Sequence, residues 1–344
     1  MNVAWVLFLG GSLCAQTWIP QASNTRAGLR GVSAVDAKTV WASGTGGTYL
    51  VTTDGGATWR AATVPGAASL DFRGIRAIDS RTVYLMSSGS GDKSRIYKTT
   101  DAGEHWTLQF TNPDPKGFFD AIAFWDAGHG IVVGDPLSGR AEIRTTDDGG
   151  AHWERRSAPG ALPDSLPNSL PDEGAFAASN TCLTLLGTGQ AWFGTGGHGA
   201  ARVFHSQDRG VSWSVSSTPI RNDGAAAGIF SLAFADSRNG VAVGGDYSKD
   251  KEDRQNIAVT HDGGETWSPP AASGPKGFRS AVVYWPEGKL WIATGTSGSD
   301  VSSDGGVTWK TFDGGSYNAM SFIGGAGWAV GGQGRIAVFQ PADK

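Results

Sequence analysis

The sequence predicts an all-β protein, a seven-bladed β-propeller in which similar small sheets surround a central channel. Three observations favour this fold: a composition rich in glycine and tryptophan, a short motif that occurs six times, and a length that divides into seven units. Of the 344 residues, 52 are glycine and 14 are tryptophan. Glycine suits tight turns, and tryptophan supplies a large apolar side chain that packs beside each of them.

The charge balance excludes a strongly basic platform for nucleic acid. Lys and Arg together number 28 and Asp and Glu together number 32, which gives a net charge of −4. Proline is limited to 15 residues and glycine has no triplet period, so neither collagen nor a disordered tract fits. No stretch after residue 15 is long and apolar enough for a transmembrane helix.

The repeated motif is Ser/Thr-x-Asp-x-Gly-x-x-Trp. It occurs first at Thr52–Trp59 (TTDGGATW) and last at Ser302–Trp309 (SSDGGVTW). Asp and Gly at this spacing favour a hairpin turn, because the carboxylate accepts backbone N–H groups and glycine adopts positive φ. Six copies in one local context indicate a structural role rather than metal binding or acid catalysis. The six aspartates are Asp54, Asp101, Asp148, Asp208, Asp262 and Asp304.

The first fifteen residues, MNVAWVLFLGGSLCA, resemble a signal peptide that is cleaved after Ala15. We therefore expect an exported protein, periplasmic or secreted. Cys182 is then the single cysteine of the mature chain, which excludes an internal disulfide. Its apolar neighbours indicate a small buried core residue.

Seven short apolar runs that end in Gly or Ser, such as TVWASG from Thr39, read as buried strands, although there are six motifs. The missing strand is predicted at the other end, where Trp18 occupies the position of the motif tryptophan. Such an N-terminal strand would complete the last sheet and leave no exposed edge. Residues 16–344 then form one domain of seven units of 47 residues, although six or eight blades remain alternatives.

The motif resembles the Asp-box, or BNR, repeat of sialidase-like propellers. The arrangement of residues 16–344 resembles the photosystem II stability/assembly factor family. The resemblance implies blades whose strands A to D run outward from the channel, with the Asp box in the C–D turn. It also implies that the D–A and B–C loops share the opposite face, where related enzymes keep their active sites.

Residues at the start of each inner strand are candidates for a site at the channel mouth. Alternation along a strand places one residue in the blade core and the next toward the channel. Three arginines that converge there favour an anionic ligand or an acidic partner segment, since guanidinium groups suit carboxylates and phosphates. The alternative is a structural ring satisfied by Asp120 and water. The predicted rim is Arg30, Arg73, Asp120, Ala177, Ser231, Arg279 and Asn318.

The loops on the same face add further candidates. Residues 161–174, ALPDSLPNSLPDEG, predict an extended segment that could overhang the mouth and ends near Glu173. Residues 248–256 form a charged insertion, which we interpret as a solvated loop. The loop candidates are Asp135, Glu173, His198, Asp246 and Tyr247.

These patterns predict a monomeric, cofactor-free propeller that binds a protein partner or a carboxylate or sugar-like anion, as an assembly or scaffold factor. The alternative is a sialidase-like or other glycoside hydrolase that uses the same face. Tyr247 or Tyr317 with Glu173 could imitate a nucleophile pair, and Asp120, Asp135 and Asp246 could serve a two-carboxylate mechanism. The Arg-Ile-Pro signature of sialidases is absent, and no metal or nucleotide motif is present.

Overall fold

Antiparallel β-sheets make up the protein. The computed structural model describes residues 16–155 and 168–342, so the expected signal peptide and residues 161–167 of the proline-punctuated segment lie outside it. The first fourteen strands are β1 (Thr17–Gln21), β2 (Leu29–Ala34), β3 (Val40–Gly44), β4 (Thr48–Thr52), β5 (Arg60–Thr63), β6 (Phe72–Ala77), β7 (Val83–Ser87), β8 (Arg95–Thr99), β9 (Thr107–Thr111), β10 (Phe119–Phe124), β11 (Gly130–Leu137), β12 (Arg140–Thr146), β13 (Glu173–Gly174) and β14 (Leu183–Leu186).

The remaining strands complete the chain. They are β15 (Gln190–Gly194), β16 (Gly196–Gly197), β17 (Arg202–Ser206), β18 (Ser214–Ser217), β19 (Ala227–Phe234), β20 (Gly240–Asp246), β21 (Ile257–Thr260), β22 (Ala281–Trp285), β23 (Leu290–Gly295), β24 (Gly298–Ser302), β25 (Lys310–Asp313), β26 (Ala319–Ile323), β27 (Ala326–Val330) and β28 (Ile336–Gln340). The helices of the described residues are two 3-10 turns, Gly91–Lys93 and Tyr247–Lys249. Residues 16–155 and 168–342 contain no helix that is long and apolar enough to cross a membrane.

The strands form seven blades, which confirms the predicted seven-bladed propeller. Strands β2–β5, β6–β9, β10–β12, β19–β21 and β22–β25 form five blades, and β14, β15, β17 and β18 form another. The last blade contains β26–β28 and β1. In two blades the outer strand is reduced to a single bridge, Thr145 with Glu154 and Val259 with Ser268.

The N-terminal strand closes the ring, as predicted. Strand β1 pairs antiparallel with β28, and Trp18 lies opposite Phe339. Seven clusters of buried apolar side chains each join two neighbouring blades, and one of them connects Leu29 of the first blade with Trp328 of the last. Cys182 is buried in one of these clusters, as expected.

The Asp boxes form the turns between the third and outer strands. In the first box the Asp54 carboxylate accepts hydrogen bonds from the Thr58 hydroxyl at 2.6 Å, the Thr58 backbone N–H at 2.9 Å and the Thr52 hydroxyl at 2.7 Å. These bonds lower the pKa of Asp54 to about 2. Gly56 has a φ of +90°, which favours glycine at this position. The carboxylate is therefore part of the turn itself.

Candidate functional site

A cavity of about 520 Å³ lies at the channel mouth, on the face opposite the Asp boxes. The first residues of the inner strands contribute most of its charged groups. Its lining residues are Arg30, Arg73, Phe118, Asp120, Asp135, Ala175, Phe176, Ala177, Ala178, Phe230, Tyr247, Phe278, Ser280, Thr296 and Asn318.

A β-bulge aims four of these side chains into the cavity. The register of β2, β6, β10 and β19 each skips one residue near its start. A bulge leaves the extra residue outside the ladder and redirects its side chain. A glycine faces the bulge in β2, β10 and β19, and in β2 it allows a close approach, since a Cβ on Gly44 would lie 2.4 Å from the Gly28 carbonyl oxygen. The four extra residues are Arg30, Arg73, Asp120 and Phe230.

Two arginines from neighbouring blades form the cationic part of the cavity. The Nε of Arg73 bonds Asp71 at 2.8 Å, and its Nη1 donates to the Ala177 carbonyl at 3.3 Å. The Nε of Arg30 is buried and has no hydrogen-bond partner. Burial and the charge of Arg73 both lower the pKa of Arg30. The Arg30 guanidinium thus retains capacity to bind an acceptor.

Two carboxyl groups lie on the other side of Arg73. Asp120 is buried, and its Oδ2 has no hydrogen-bond partner. Burial and the neighbouring Asp135 raise the pKa of Asp120 well above its usual value, and the positive charge of Arg73 opposes this shift. Burial raises the pKa of Asp135 to about 6, although its Oδ1 accepts the Ala175 backbone N–H at 3.2 Å. The pair therefore holds a proton more tightly than isolated carboxylates do.

Aromatic side chains form the remaining wall. The rings of Phe176 and Phe230 stack with centroids 3.8 Å apart, and Phe278 meets Phe230 edge-on at 4.6 Å. Tyr247 is 56% exposed, with its ring centroid 6.0 Å from that of Phe230. Such a wall offers apolar area to a ligand that also carries a negative group.

Residues 175–181 cross the channel below this cavity. The Ser179 hydroxyl donates to the Ser280 carbonyl at 2.7 Å. The Asn180 side chain accepts the Ile122 N–H at 2.8 Å and donates to the Ile122 carbonyl at 3.0 Å. Gly74 leaves room for it, because a Cβ there would lie 2.8 Å from Asn180 Oδ1. These bonds hold the segment as a plug that forms the floor of the mouth cavity.

Comparisons with known proteins agree with this architecture. Residues 258–269 match the BNR/Asp-box repeat family. The photosystem II assembly lipoprotein Ycf48 of Synechococcus sp. (strain CC9902) is 28% identical over 258 residues, which cover 72% of this chain and 67% of that protein. The chain is therefore a propeller with Asp-box repeats that is similar to a photosystem II assembly factor.

Solved structures show the same fold. The structure of YCF48 bound to D1 peptide has a TM-score of 0.65 and 18% identity, and the match covers 96% of this chain and 100% of that one. YCF48 from Cyanidioschyzon merolae has a TM-score of 0.65 at 17% identity, with 95% of this chain and 99% of that chain covered. The GH74 xyloglucanase from Xanthomonas campestris has a TM-score of 0.60 at 14% identity, with 94% of this chain covered. This chain spans 53% of that enzyme.

Six of the ten predicted ligand-binding residues line the mouth cavity of this BNR propeller. They are Arg30, Arg73, Asp120, Asp135, Asn318 and Tyr247. Asn318 also donates from Nδ2 to the Leu29 carbonyl at 2.8 Å, which links the last blade to the first. Ala177 also lines the cavity. It does so from the segment 175–181 and not from the start of an inner strand, as predicted, because the inner strand of that blade begins at Leu183.

Arg279 does not lie at the channel mouth, and the predicted triad of arginines is wrong. Its side chain is fully buried, where its Nε donates to Asp300 at 2.7 Å. The alignment of the blade starts was one residue out in two blades. Arg279 occupies the core position that Leu29 and Ile229 fill elsewhere, so that Ser280 faces the cavity. In the same way Phe230 faces the cavity instead of the predicted Ser231. Ser231 is buried and its hydroxyl is hydrogen-bonded to that of Thr181.

Three loop candidates also lie outside the cavity lining. Glu173 is buried, and it pairs with Arg202 and accepts the Thr195 hydroxyl at 2.6 Å. Asp246 is buried and accepts the Ser248 N–H at 2.9 Å. His198 is exposed and absent from the lining. The suggested nucleophile pairs fail, because Glu173 is engaged by Arg202 and Tyr317 is buried against Trp18.

The aromatic wall is not among the features predicted from the sequence. Alternation predicts a core position for the residue before each rim residue, which is Phe230 before Ser231 and Phe278 before Arg279, but both phenylalanines face the mouth cavity. The sequence does carry a signal, a phenylalanine at the start of five blades, but the local strand register decides which way each ring points.

A group of potential metal ligands lies on the surface and consists of Asp101, Glu104 and His105. It belongs to an Asp box, where His105 Nδ1 already lies 2.8 Å from the Asp101 carboxylate. The expected absence of a cofactor stays a prediction.

Replacement of Asp135 by Asn should stabilise the protein at pH 7. The raised pKa of Asp135 means that the folded state binds a proton more tightly than the unfolded state between about pH 4 and 6. Deprotonation in this window therefore costs stability. We expect the free energy of unfolding of Asp135→Asn at pH 7 to exceed that of wild type by about 2 kcal/mol. The difference should vanish near pH 4.

Urea denaturation at several pH values measures this effect. The exposed Glu287 offers a matched control, since Glu287→Gln should leave the profile unchanged. A gap between Asp135→Asn and wild type that stays constant from pH 4 to 7 would contradict the assigned burial of charge.

Proposed function

We propose that this propeller is an exported, non-enzymatic binding protein that holds a segment of a protein partner at its channel mouth, as an assembly or scaffold factor. The observation that carries this proposal is the unpartnered Nε of Arg30, buried beside a second guanidinium in a cavity of about 520 Å³. A carboxylate of a partner segment would complete its hydrogen bonding and offset the repulsion between the two arginines.

The carboxyl pair does not remove the need for such a ligand. Asp71 already engages Arg73, and the raised pKa of Asp120 weakens its service as a counter-ion. In the part of the chain that the structure describes, neither Asp120 nor Asp135 hydrogen-bonds the Nε of Arg30. An external carboxylate is therefore the group that fits the free face of Arg30.

The aromatic wall supports a protein segment rather than a small inorganic ion. The cavity that holds the two arginines also offers apolar area, which is supplied by Phe176, Phe230, Phe278 and the exposed Tyr247. Apolar side chains of a segment would pack there while its carboxylate contacts Arg30. The two halves of the cavity together recognise an apolar segment with a terminal or acidic carboxylate.

The relatives support a protein partner. A structurally similar YCF48 is bound to D1 peptide, and the related Synechococcus protein is an assembly lipoprotein. Export of this chain rests on residues 1–15, and a lipoprotein relative is compatible with a periplasmic or secreted location. A monomer is sufficient for this role, since one chain supplies the whole lining of the cavity.

Loss of both mouth arginines should abolish partner binding. We would place the photo-crosslinking residue p-benzoylphenylalanine at Tyr247, which is exposed at the cavity edge, and irradiate the protein in the envelope fraction of its host. The captured segment, identified by mass spectrometry, then serves as a synthetic peptide. We expect Arg30→Gln/Arg73→Gln to weaken peptide binding at least tenfold by isothermal titration calorimetry.

The control is Arg60→Gln, since Arg60 is exposed on β5, an outer strand. A peptide in which an amide replaces the recognised carboxylate lacks the group that the arginines bind. Wild type should bind this amide peptide as weakly as the double variant binds the unmodified peptide. Equal affinity of wild type and the double variant for the peptide would refute the proposed site.

The glycoside hydrolase alternative has a separate test. A panel of fluorogenic sialosides and other glycosides measures it, with Asp120→Asn and Asp135→Asn as the informative variants. We expect no turnover by wild type. Turnover that both substitutions abolish would instead establish the carboxyl pair as catalytic.

A further inference from the structure

A second cavity, of about 450 Å³, lies in the central channel on the Asp-box side of the plug. The later residues of the inner strands line it, including Ser33, Arg76 and Ser321. Ser179, Asn180 and Thr181 of the plug form its floor, whereas Ala175–Ala178 face the mouth cavity. The plug therefore makes this a blind chamber, separate from the mouth cavity.

Arg76 is the single ionised residue among those that line the chamber, and no acidic side chain accompanies it. Within residues 16–155 and 168–342, no hydrogen bond or ion pair engages its guanidinium. Its side chain is exposed to the space of the channel, although the surrounding blades lower its pKa and no neighbouring carboxylate offsets this effect. A concave site that carries charge of one sign attracts ligands of the opposite sign.

The surroundings leave room in front of Arg76. At the equivalent register position, the inner strands β10 and β19 carry Ala123 and Ala233. The same position in β2 and β26 is Ser33 and Ser321. The small side chains of these four strands leave space for a molecule at the guanidinium.

The two serines add hydrogen-bond donors beside Arg76. Their strands belong to the last and first blades, which precede the blade of Arg76 around the ring. The Ser321 hydroxyl oxygen accepts the Ala34 N–H at 3.1 Å, and the Ser33 oxygen accepts the Ala77 N–H at 3.0 Å. Because each oxygen is used as an acceptor, each hydroxyl proton is free to donate into the chamber.

We propose that this chamber binds a small organic oxyanion, a carboxylate or a phosphate ester, through Arg76 with Ser33 and Ser321 as donors. A volume of about 450 Å³ suits a small molecule. The plug prevents an extended chain from threading through the channel, which favours a small ligand over a peptide. This site is independent of the protein segment proposed for the mouth.

Thermal-shift measurements and calorimetry test the chamber with defined probes. The probes are citrate and gluconate as carboxylates, and inorganic phosphate and glucose 6-phosphate as phosphates, each compared with sodium chloride at equal ionic strength. We expect at least one class to raise the Tm of wild type. Arg76→Gln should bind that probe at least tenfold more weakly, and Arg76→Lys should give an intermediate loss because it keeps charge without the fork.

Three further readouts decide the assignment. Without probe, Arg76→Gln should melt close to the wild-type temperature, because the exposed guanidinium has no ion pair to lose. The response should persist in Arg30→Gln/Arg73→Gln, which places it in the channel rather than at the mouth. If no probe exceeds sodium chloride, or if wild type and Arg76→Gln respond equally, the chamber is not an oxyanion site.

Discussion

Replacement of Arg279 by Ala should lower the free energy of unfolding by about 3–5 kcal/mol. The Arg279 side chain is fully buried and bonds Asp300, the Phe278 carbonyl at 2.8 Å and the Ser297 hydroxyl at 2.9 Å. Asp300 is equally buried. Removal of the guanidinium leaves that carboxylate without its charged partner, which costs far more than the lost contacts alone. Urea denaturation at pH 7 measures the loss.

A double variant identifies the cause. Arg279→Met/Asp300→Leu should recover much of the loss, because both buried charges are gone. The exposed Arg81 serves as control, and Arg81→Ala should change stability by less than about 0.5 kcal/mol. A deficit for Arg279→Ala as small as that of the control would disprove the buried pair.

Replacement of Trp18 by Ala should lower the free energy of unfolding by about 3–5 kcal/mol. Trp18 is 3% exposed, and its ring contacts Tyr317, Phe322 and Phe339, with the centroid of Phe339 at 5.3 Å. Its Nε1 donates to the Ser299 hydroxyl at 3.0 Å, a bond between the last two blades. Loss of the ring removes both the seal of the last blade and its link to the preceding one.

The next residue of the same strand supplies a matched control. Ile19 is 41% exposed, so Ile19→Ala should cost less than about 1 kcal/mol. Trp18→Ala should also detach β1 and expose the edge of β28, which favours self-association. Size-exclusion chromatography should then show a larger species for Trp18→Ala than for Ile19→Ala. Identical stability of the two variants would argue against closure by β1.

The fold could be predicted because its signals are local and repeated. Each Asp box sets its own turn through residues within a few positions, as Thr52, Asp54 and Gly56 do. The role of Trp18 was also predictable, because it repeats the spacing of the box tryptophans. The last sheet lacks an outer strand, and the residues around Trp18 supply an unpaired strand at the other end of the chain. Pairing of this strand with the last sheet closes the ring.

The site was less predictable because it depends on single-residue register. Alternation along an ideal strand predicts the side of Arg279 incorrectly, since one shifted residue reverses every assignment. The bulges that expose Arg30 and Phe230 lie opposite glycines of the neighbouring strand, Gly44 and Gly244, whereas the bulge at Arg73 lies opposite Ser87. The plug is likewise formed by contacts between distant segments, such as Ser179 with Ser280. No local pattern encodes these pairings.

The antiparallel pairing of Thr17 with Gln340 brings the two ends of the described chain side by side on one outer rim. When the two ends of a chain are neighbours, they can be joined and new ends can be made in an exposed turn without disturbing the core. A circular permutant that links these ends through a short flexible tether and begins in the exposed turn at Gly66 should fold into the same disc. Its closure would then be covalent, and affinity tags or fused domains could be carried far from both cavities.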